Sequence, residues 1–234
     1  MDDASRLERV RRAIATTGRA DPATYPHRVC SASVGLLGVS GAGLTLMTNS
    51  EQGGLWASNE VVRWLEDAQL GLGEGPGLEA FEQGVPILEP NLGDGSSRWP
   101  LFRSGALDLG VAAVFAFPLQ VGVIRLGALN LYRDRPGLPT NEELSDTLVL
   151  TDVATQGILD LQAQGSIYWR LFDPHGERAQ VHKATGIIAA QISSDMATAL
   201  ACMRSYAFGS GRSIYDVADD VIAHRLRLNR HMLQ

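Results

Sequence analysis

Leu7, Val10 and Ile14 fall three and four residues apart, which lays one apolar stripe along a helix over residues 3–17. A second helix is expected over "RVCSASVGLL", residues 28–37. Two strand-like stretches, "GLTLMT" and "GLWAS", then flank the turn "NSEQGG". The helical spacing of "EVVRWLEDA" leads into a glycine-rich run, a short helix "PGLEAFEQG" and a strand "VPILE". Two stronger strands follow, "VAAVFAFPLQ" and "VIRLGALNLYR", joined by a tight turn at Val121-Gly122. In the first, alternation puts Val111, Ala113, Phe115 and Phe117 on one face and Ala112, Val114 and Ala116 on the other. Both faces are apolar, as in a strand covered on each side.

Residues 141–163 form one long predicted helix, with Leu150, Ala154, Ile158 and Leu161 on a stripe and Leu144, Leu148 and Leu159 elsewhere. A helix this apolar around its circumference needs more partners than one sheet face supplies. Together with the N-terminal helix (residues 1–24), it is expected to build a bundle across a homodimer axis.

After a junction at 166–176, three shorter helices are predicted at 177–192, 195–208 and 214–228. Their buried stripes are Val181, Ala184, Ile188 and Ile192; then Met196, Ala199, Leu200, Met203 and Ala207; then Ile214, Val217, Ala218 and Val221. Ser194 is placed to cap the second, and Ser213 with Asp216 makes a capping box for the third.

Charge divides the chain where the pattern does. Residues 1–164 carry 12 Arg against 20 acidic residues, a net of −8, whereas residues 165–234 carry 7 Arg and 1 Lys against 6, a net of +2. An acidic body and a mildly basic tail point to two units with different partners. Cys30 and Cys202 are too few for a disulfide framework or a zinc site and read as free thiols in a reducing compartment. No basic start and apolar core mark a signal peptide, and the uncharged run 29–50 is broken by glycine and hydroxyl residues. The expectation is a cytoplasmic protein with no membrane span.

The run "GLGEGPG" puts four glycines and a proline between Gly71 and Gly77. A phosphate-binding loop would need Lys-Ser or Lys-Thr after the last glycine, but Leu78 and Glu79 follow. A dinucleotide fingerprint would need a strand before the loop, and the preceding residues are helical. The run is a connector. No nucleophile–base pair or metal constellation appears anywhere, so no enzyme, resident cofactor or metal site is expected.

Residues 25–160 carry "GAGLTL", "LGEGPGLEAF", "RWPLF" and "FAFPLQVGVIRLGALNLYR". These words resemble a GAF domain, a small-molecule sensor built on an antiparallel sheet between helices, in the version found in actinobacterial regulators. The resemblance implies a ligand cavity without naming the ligand; Trp56, Phe81, Trp99, Phe115 and Phe117 are the candidate lining. Relatives often carry Cys where this chain has Gly77, so thiol sensing is not implied here.

In the tail, Lys183, Gly186 and Ala190 lie opposite the buried stripe, and a mid-helix glycine costs about 1 kcal/mol relative to alanine. Arg204 and Tyr206 flank the stripe of the next helix. Cations beside aromatics suit RNA, whose unpaired bases stack on rings. The words "KATGIIAAQ", "ATALACMRSYAF" and "GRSIYDVADDVI" resemble the ANTAR domain, the three-helix RNA-binding module of antitermination regulators. That resemblance implies a dimer that binds stem-loops in a nascent transcript and prevents a terminator hairpin from forming. The candidate RNA contacts are Lys183, Gly186, Arg204, Tyr206 and Arg212.

The expected architecture is therefore α+β: a GAF domain at 25–164 with helices on both faces of its sheet, then a three-helix unit at 165–234. The expected function is ligand-responsive RNA binding. Two rivals stand beside it. A DNA-binding regulator would have to bring Asp216, Asp219 and Asp220 towards a duplex groove. In the other rival, a small-molecule sensor, the tail serves only to dimerise.

Overall fold

The computed structural model describes residues 3–18, 21, 24–47, 52–163, 177–210 and 212–228; the junction expected at 166–176 lies outside them. Along the N-terminal part run α1 (Asp3–Thr16), α2 (Tyr25–Leu37), β1 (Gly41–Met47), β2 (Gln52–Ala57), α3 (Glu60–Leu72) and α4 (Pro76–Gln83). They continue as β3 (Ile87–Glu89), α5 (Pro100–Asp108), β4 (Ala113–Val121), β5 (Ile124–Arg133) and α6 (Asn141–Ala163). The tail holds α7 (Glu177–Ile192), α8 (Met196–Gly209) and α9 (Ile214–Ile222).

The strands form one antiparallel sheet in the order β2-β1-β5-β4-β3, so the two most apolar strands sit at its centre. Leu44 faces Leu129 across β1 and β5, and Phe115 faces Leu131 across β4 and β5. These four share one side of the sheet, and side-chain alternation sends their chain neighbours to the other. On one side, Leu44, Phe115, Phe117 and Leu129 pack with Val10 and Ile14 of α1, Val29 and Cys30 of α2, and Leu150 and Ile158 of α6. On the other, Val114, Ala116 and Tyr132 pack with Leu65 of α3, Ala80 of α4 and Phe102 of α5. Val111 precedes β4 and packs on this second side, so the alternation that grouped it with Phe115 begins only at Ala113. At Gly127 a Cβ would stand 2.0 Å from the Thr45 carbonyl oxygen, so only glycine lets β5 lie this close to β1.

The main stripes of α1 and α6 are buried in the core of the chain itself. Asp146 of α6 accepts from Arg6 Nε at 2.8 Å and pairs with Arg9, which holds α1 against α6. Of the apolar residues off the main stripe of α6, Leu148 is left exposed while Leu144 packs against the core.

Helix ends explain the remaining differences. α3 continues through Gly71 and stops where Gly73 takes a left-handed conformation, so the glycine-rich run shortens to residues 73–75. Glu74 in that connector accepts from the backbone N–H of Leu101 and Phe102 and caps α5 from a distance. α8 is capped by Asp195, not Ser194: its Oδ1 accepts from Thr198 N at 2.7 Å. That bond holds the Asp195 carboxyl below its ordinary value. The cap is therefore present above the unfolded carboxyl value and lost as pH falls through the lower, folded one. Asp195→Asn, which keeps the acceptor, is expected to retain tail helicity at neutral pH and to remove this acid sensitivity. Far-UV circular dichroism between pH 7 and pH 3 checks both. Finally, α9 ends at Ile222, before residue 228, because His224 is left-handed and Arg225 and Leu226 turn back onto the Asp220 carbonyl.

Candidate functional site

The five aromatics expected to line a ligand cavity lie on both sides of the sheet. Phe115 and Phe117 are buried among α1, α2 and α6, with Trp56 packed against the same cluster. Trp99 is buried on the other side, edge-to-face with Phe102 at a centroid distance of 6.5 Å. Phe81 is half-buried on α4. A single space shared by all five does not exist, because the sheet itself stands between them.

Between the sheet and α3, beside the apolar cluster around Leu65, lies a polar one. Glu66, buried on α3, accepts from the Tyr132 hydroxyl and from Asn130 Nδ2 on one oxygen, each at 2.8 Å. Its other oxygen accepts from the Thr45 hydroxyl at 2.7 Å. Gln69, one turn on, donates to the Tyr132 hydroxyl and accepts from the backbone N–H of Gly77. Two glycines make the room: a Cβ at Gly43 would meet Glu66 Oε1 at 2.3 Å, and one at Gly77 would meet Asn130 Nδ2 at 2.5 Å. Burial, reinforced by the Glu66 charge, pushes the Tyr132 phenol well above its ordinary value, so it remains a donor. Asn130 Oδ1 is buried and has no hydrogen-bond partner among the described residues. None of this cluster was singled out from the sequence. Its one visible trace is Asn130 and Tyr132, alternating on one face of an otherwise apolar strand.

The tail has its own core, centred on Ala184, Ile188, Met203 and Val217. Its candidate contacts divide into three groups. Lys183 is exposed on α7, and nothing among the described residues beyond the helix itself lies within 4 Å of where a Cβ on Gly186 would stand. Tyr206 is half-buried and packs against the tail core. Arg212 is exposed but donates to Asp220 Oδ2 at 2.6 Å and to the Asp216 carbonyl. Arg204 turns away from the solvent and towards the N-terminal unit. Its Nε donates to the Leu70 carbonyl at 2.8 Å, and a Cβ on Gly73 would stand 2.7 Å from its Nη1. Nearby, the Tyr215 hydroxyl donates to Asp67 at 2.8 Å. Arg204 is thus a docking residue in this arrangement, which a helical wheel of α8 alone has no means of revealing.

No group of His, Cys, Asp and Glu able to hold a metal ion occurs among the described residues. Among them also, no single helix is long and apolar enough to cross a membrane.

With this geometry in place, comparison with known proteins is informative about the fold. No family model matches the chain, and no curated protein sequence is similar to it. Solved structures are. The chain is similar to the GAF domain of the Acinetobacter phosphoenolpyruvate-protein phosphotransferase, with a TM-score of 0.55 and 14% identity over 71% of this chain and 100% of that one. The corresponding domain from Coxiella burnetii gives 0.52 and 16%, over 70% and 96% of the two chains. The free methionine-R-sulfoxide reductase of Neisseria meningitidis gives 0.50 and 13%, over 70% and 95%. The class defined by sheet order and flanking helices is therefore the GAF fold. At such identities the likeness is one of fold, and this fold carries an enzyme as well as domains of larger proteins.

Proposed function

We propose that this protein is a ligand-responsive RNA-binding regulator of transcription antitermination, a dimer whose three-helix tail engages stem-loops in nascent transcripts. The observation that carries the reading is Gly186. It sits in the middle of α7, its helical backbone needs no glycine, and no neighbouring atom of the described residues occupies the place of a side chain. Packing does not account for a residue that costs about 1 kcal/mol there. A partner that approaches the helix backbone does, and exposed Lys183, nearly one turn away, supplies the charge for a phosphate. The net +2 of the tail is small for a polyanion binder, and two copies in a dimer double it. On α9, Asp216 and Asp219 are exposed, which favours RNA over a duplex groove read by this helix.

RNA that copurifies with the full-length protein, sequenced and resynthesised as stem-loops, provides the ligand; duplex DNA of the same sequence is the comparison. Lys183→Ala is expected to weaken binding across all stem-loops and to reduce the salt slope by about one phosphate contact. Gly186→Leu is expected to weaken binding about tenfold or more while leaving the helix intact, since leucine is the better helix former. Wild-type affinity in both variants would move the RNA face elsewhere. Equal binding to the matching duplex would turn the reading into DNA regulation. Light scattering is expected to find a dimer at micromolar protein.

A further inference from the structure

Between the two units lies an open groove of about 760 Å³. Trp64 and Leu72 of α3 and Leu101 of α5 form one wall, and Arg204, Ile214 and Tyr215 of the tail form the other. This volume is in the range of small-molecule sites. It is distinct from the Glu66 cluster, which lies on the sheet side of α3.

The groove presents a flat apolar surface. On one wall Trp64 is 50% exposed and Leu101 is 42% exposed, a large apolar area left open to the groove. The indole has a built seat: a Cβ on Gly105 of α5 would stand 2.8 Å from its ring. Opposite it is the Arg204 guanidinium. The only hydrogen bond that Arg204 makes among the described residues is the one from Nε to the Leu70 carbonyl, and no carboxylate there pairs with its guanidinium. Burial pushes its pKa down, which marks a cation that has lost water and gained little in return. The other charged groups in the lining are engaged: Asp67 by the Tyr215 hydroxyl, and Arg212 by Asp220.

We infer that this groove binds a small aromatic or similarly flat apolar molecule carrying one anionic group, such as a carboxylate or sulfonate. Its apolar body lies on Trp64 and Leu101, and its anion meets the free edge of the Arg204 guanidinium. A planar anion suits that edge because two parallel N–H donors match two oxygens. The site needs both units, so the occupant bridges them. This inference stands whether or not the tail binds RNA.

The test uses the full chain and two dyes of similar shape, anionic anilinonaphthalene sulfonate and neutral N-phenyl-1-naphthylamine, titrated by fluorescence. One saturable site is expected, with the anionic dye bound about tenfold or more tighter, as a charge-assisted hydrogen bond provides. Arg204→Gln is expected to bring the two dyes within about twofold of each other, since the remaining contacts are apolar. Because Arg204 also docks the tail, a second variant avoids it. Leu101→Glu sits at an exposed position; it removes an apolar contact from both dyes but repels only the anionic one, so the preference for the anionic dye should shrink about tenfold. Equal binding of both dyes by the wild type would overturn the inference, as would an anionic preference that survives both substitutions.

Discussion

Glu66→Ala is expected to lower the stability of the N-terminal unit by about 3–5 kcal/mol, the largest loss foreseen for any single substitution here. The truncation does more than remove a side chain. It strands the buried donor groups of the Tyr132 hydroxyl, the Asn130 amide and the Thr45 hydroxyl, each having donated to the carboxylate. It also leaves a cavity where Gly43 has no side chain to collapse into the gap. Glu66→Gln is the informative companion. Its oxygen can keep the Tyr132 and Asn130 bonds while its amide donates to Thr45, whose hydroxyl turns to accept. A loss of only about 1.5 kcal/mol or less is expected. Guanidinium melts of the three proteins give the comparison, and an alanine variant as stable as the wild type would refute the picture of a cluster held by the Glu66 carboxylate.

Alkali is expected to unfold the protein earlier than its acidic composition implies. Burial, with the Glu66 charge added, raises the Cys30 thiol above its ordinary 9.0. Burial likewise raises Tyr132 above 10.0 and Tyr25 to about 12. Each group ionises at its ordinary value in the unfolded chain and at a higher one in the fold. The folded state therefore holds more protons, and stability is constant below those ordinary values and falls as pH rises past them. The thiol alone contributes a slope of about 1.4 kcal/mol per pH unit from about pH 9, and the phenols steepen it above about pH 10. Denaturation midpoints at pH 7, 9 and 10.5 should decline in that pattern. Cys30→Ala should flatten the first part, and a midpoint unchanged to pH 10.5 would rule the mechanism out.

Periodicity made most of the fold legible. The stripes of α1 and α6, the alternation of β4 and β5 and the three tail helices are all set by which side of an element is apolar, and that is local information. The polar cluster was not legible because Glu66 and Asp67 look alike in "WLED", two charges on a helix, although one is buried and the other faces the tail. Its partners Thr45, Asn130 and Tyr132 come from distant strands, brought together only by the β1–β5 register. Besides Asn130 and Tyr132 on one face of β5, Gly43, a glycine inside a strand, hints that something large must come close. The role of Arg204 was hidden for a similar reason. A wheel ranks positions within one helix, and the group that Arg204 meets is a backbone carbonyl at the end of another unit's helix.

That helix, α3, makes the sheet and the tail parts of one thermodynamic cycle. Glu66 and Gln69 look inward to β1 and β5, while Asp67 and the Leu70 carbonyl look outward to α9 and α8. A molecule that shifts α3 on the sheet must therefore do work on the tail contacts. By reciprocity, if one molecule bound between α3 and the sheet and another captured the tail, each would change the affinity of the other by the same factor. Measuring either occupancy against the other yields one number, the coupling free energy, and it has the same value from whichever end it is read.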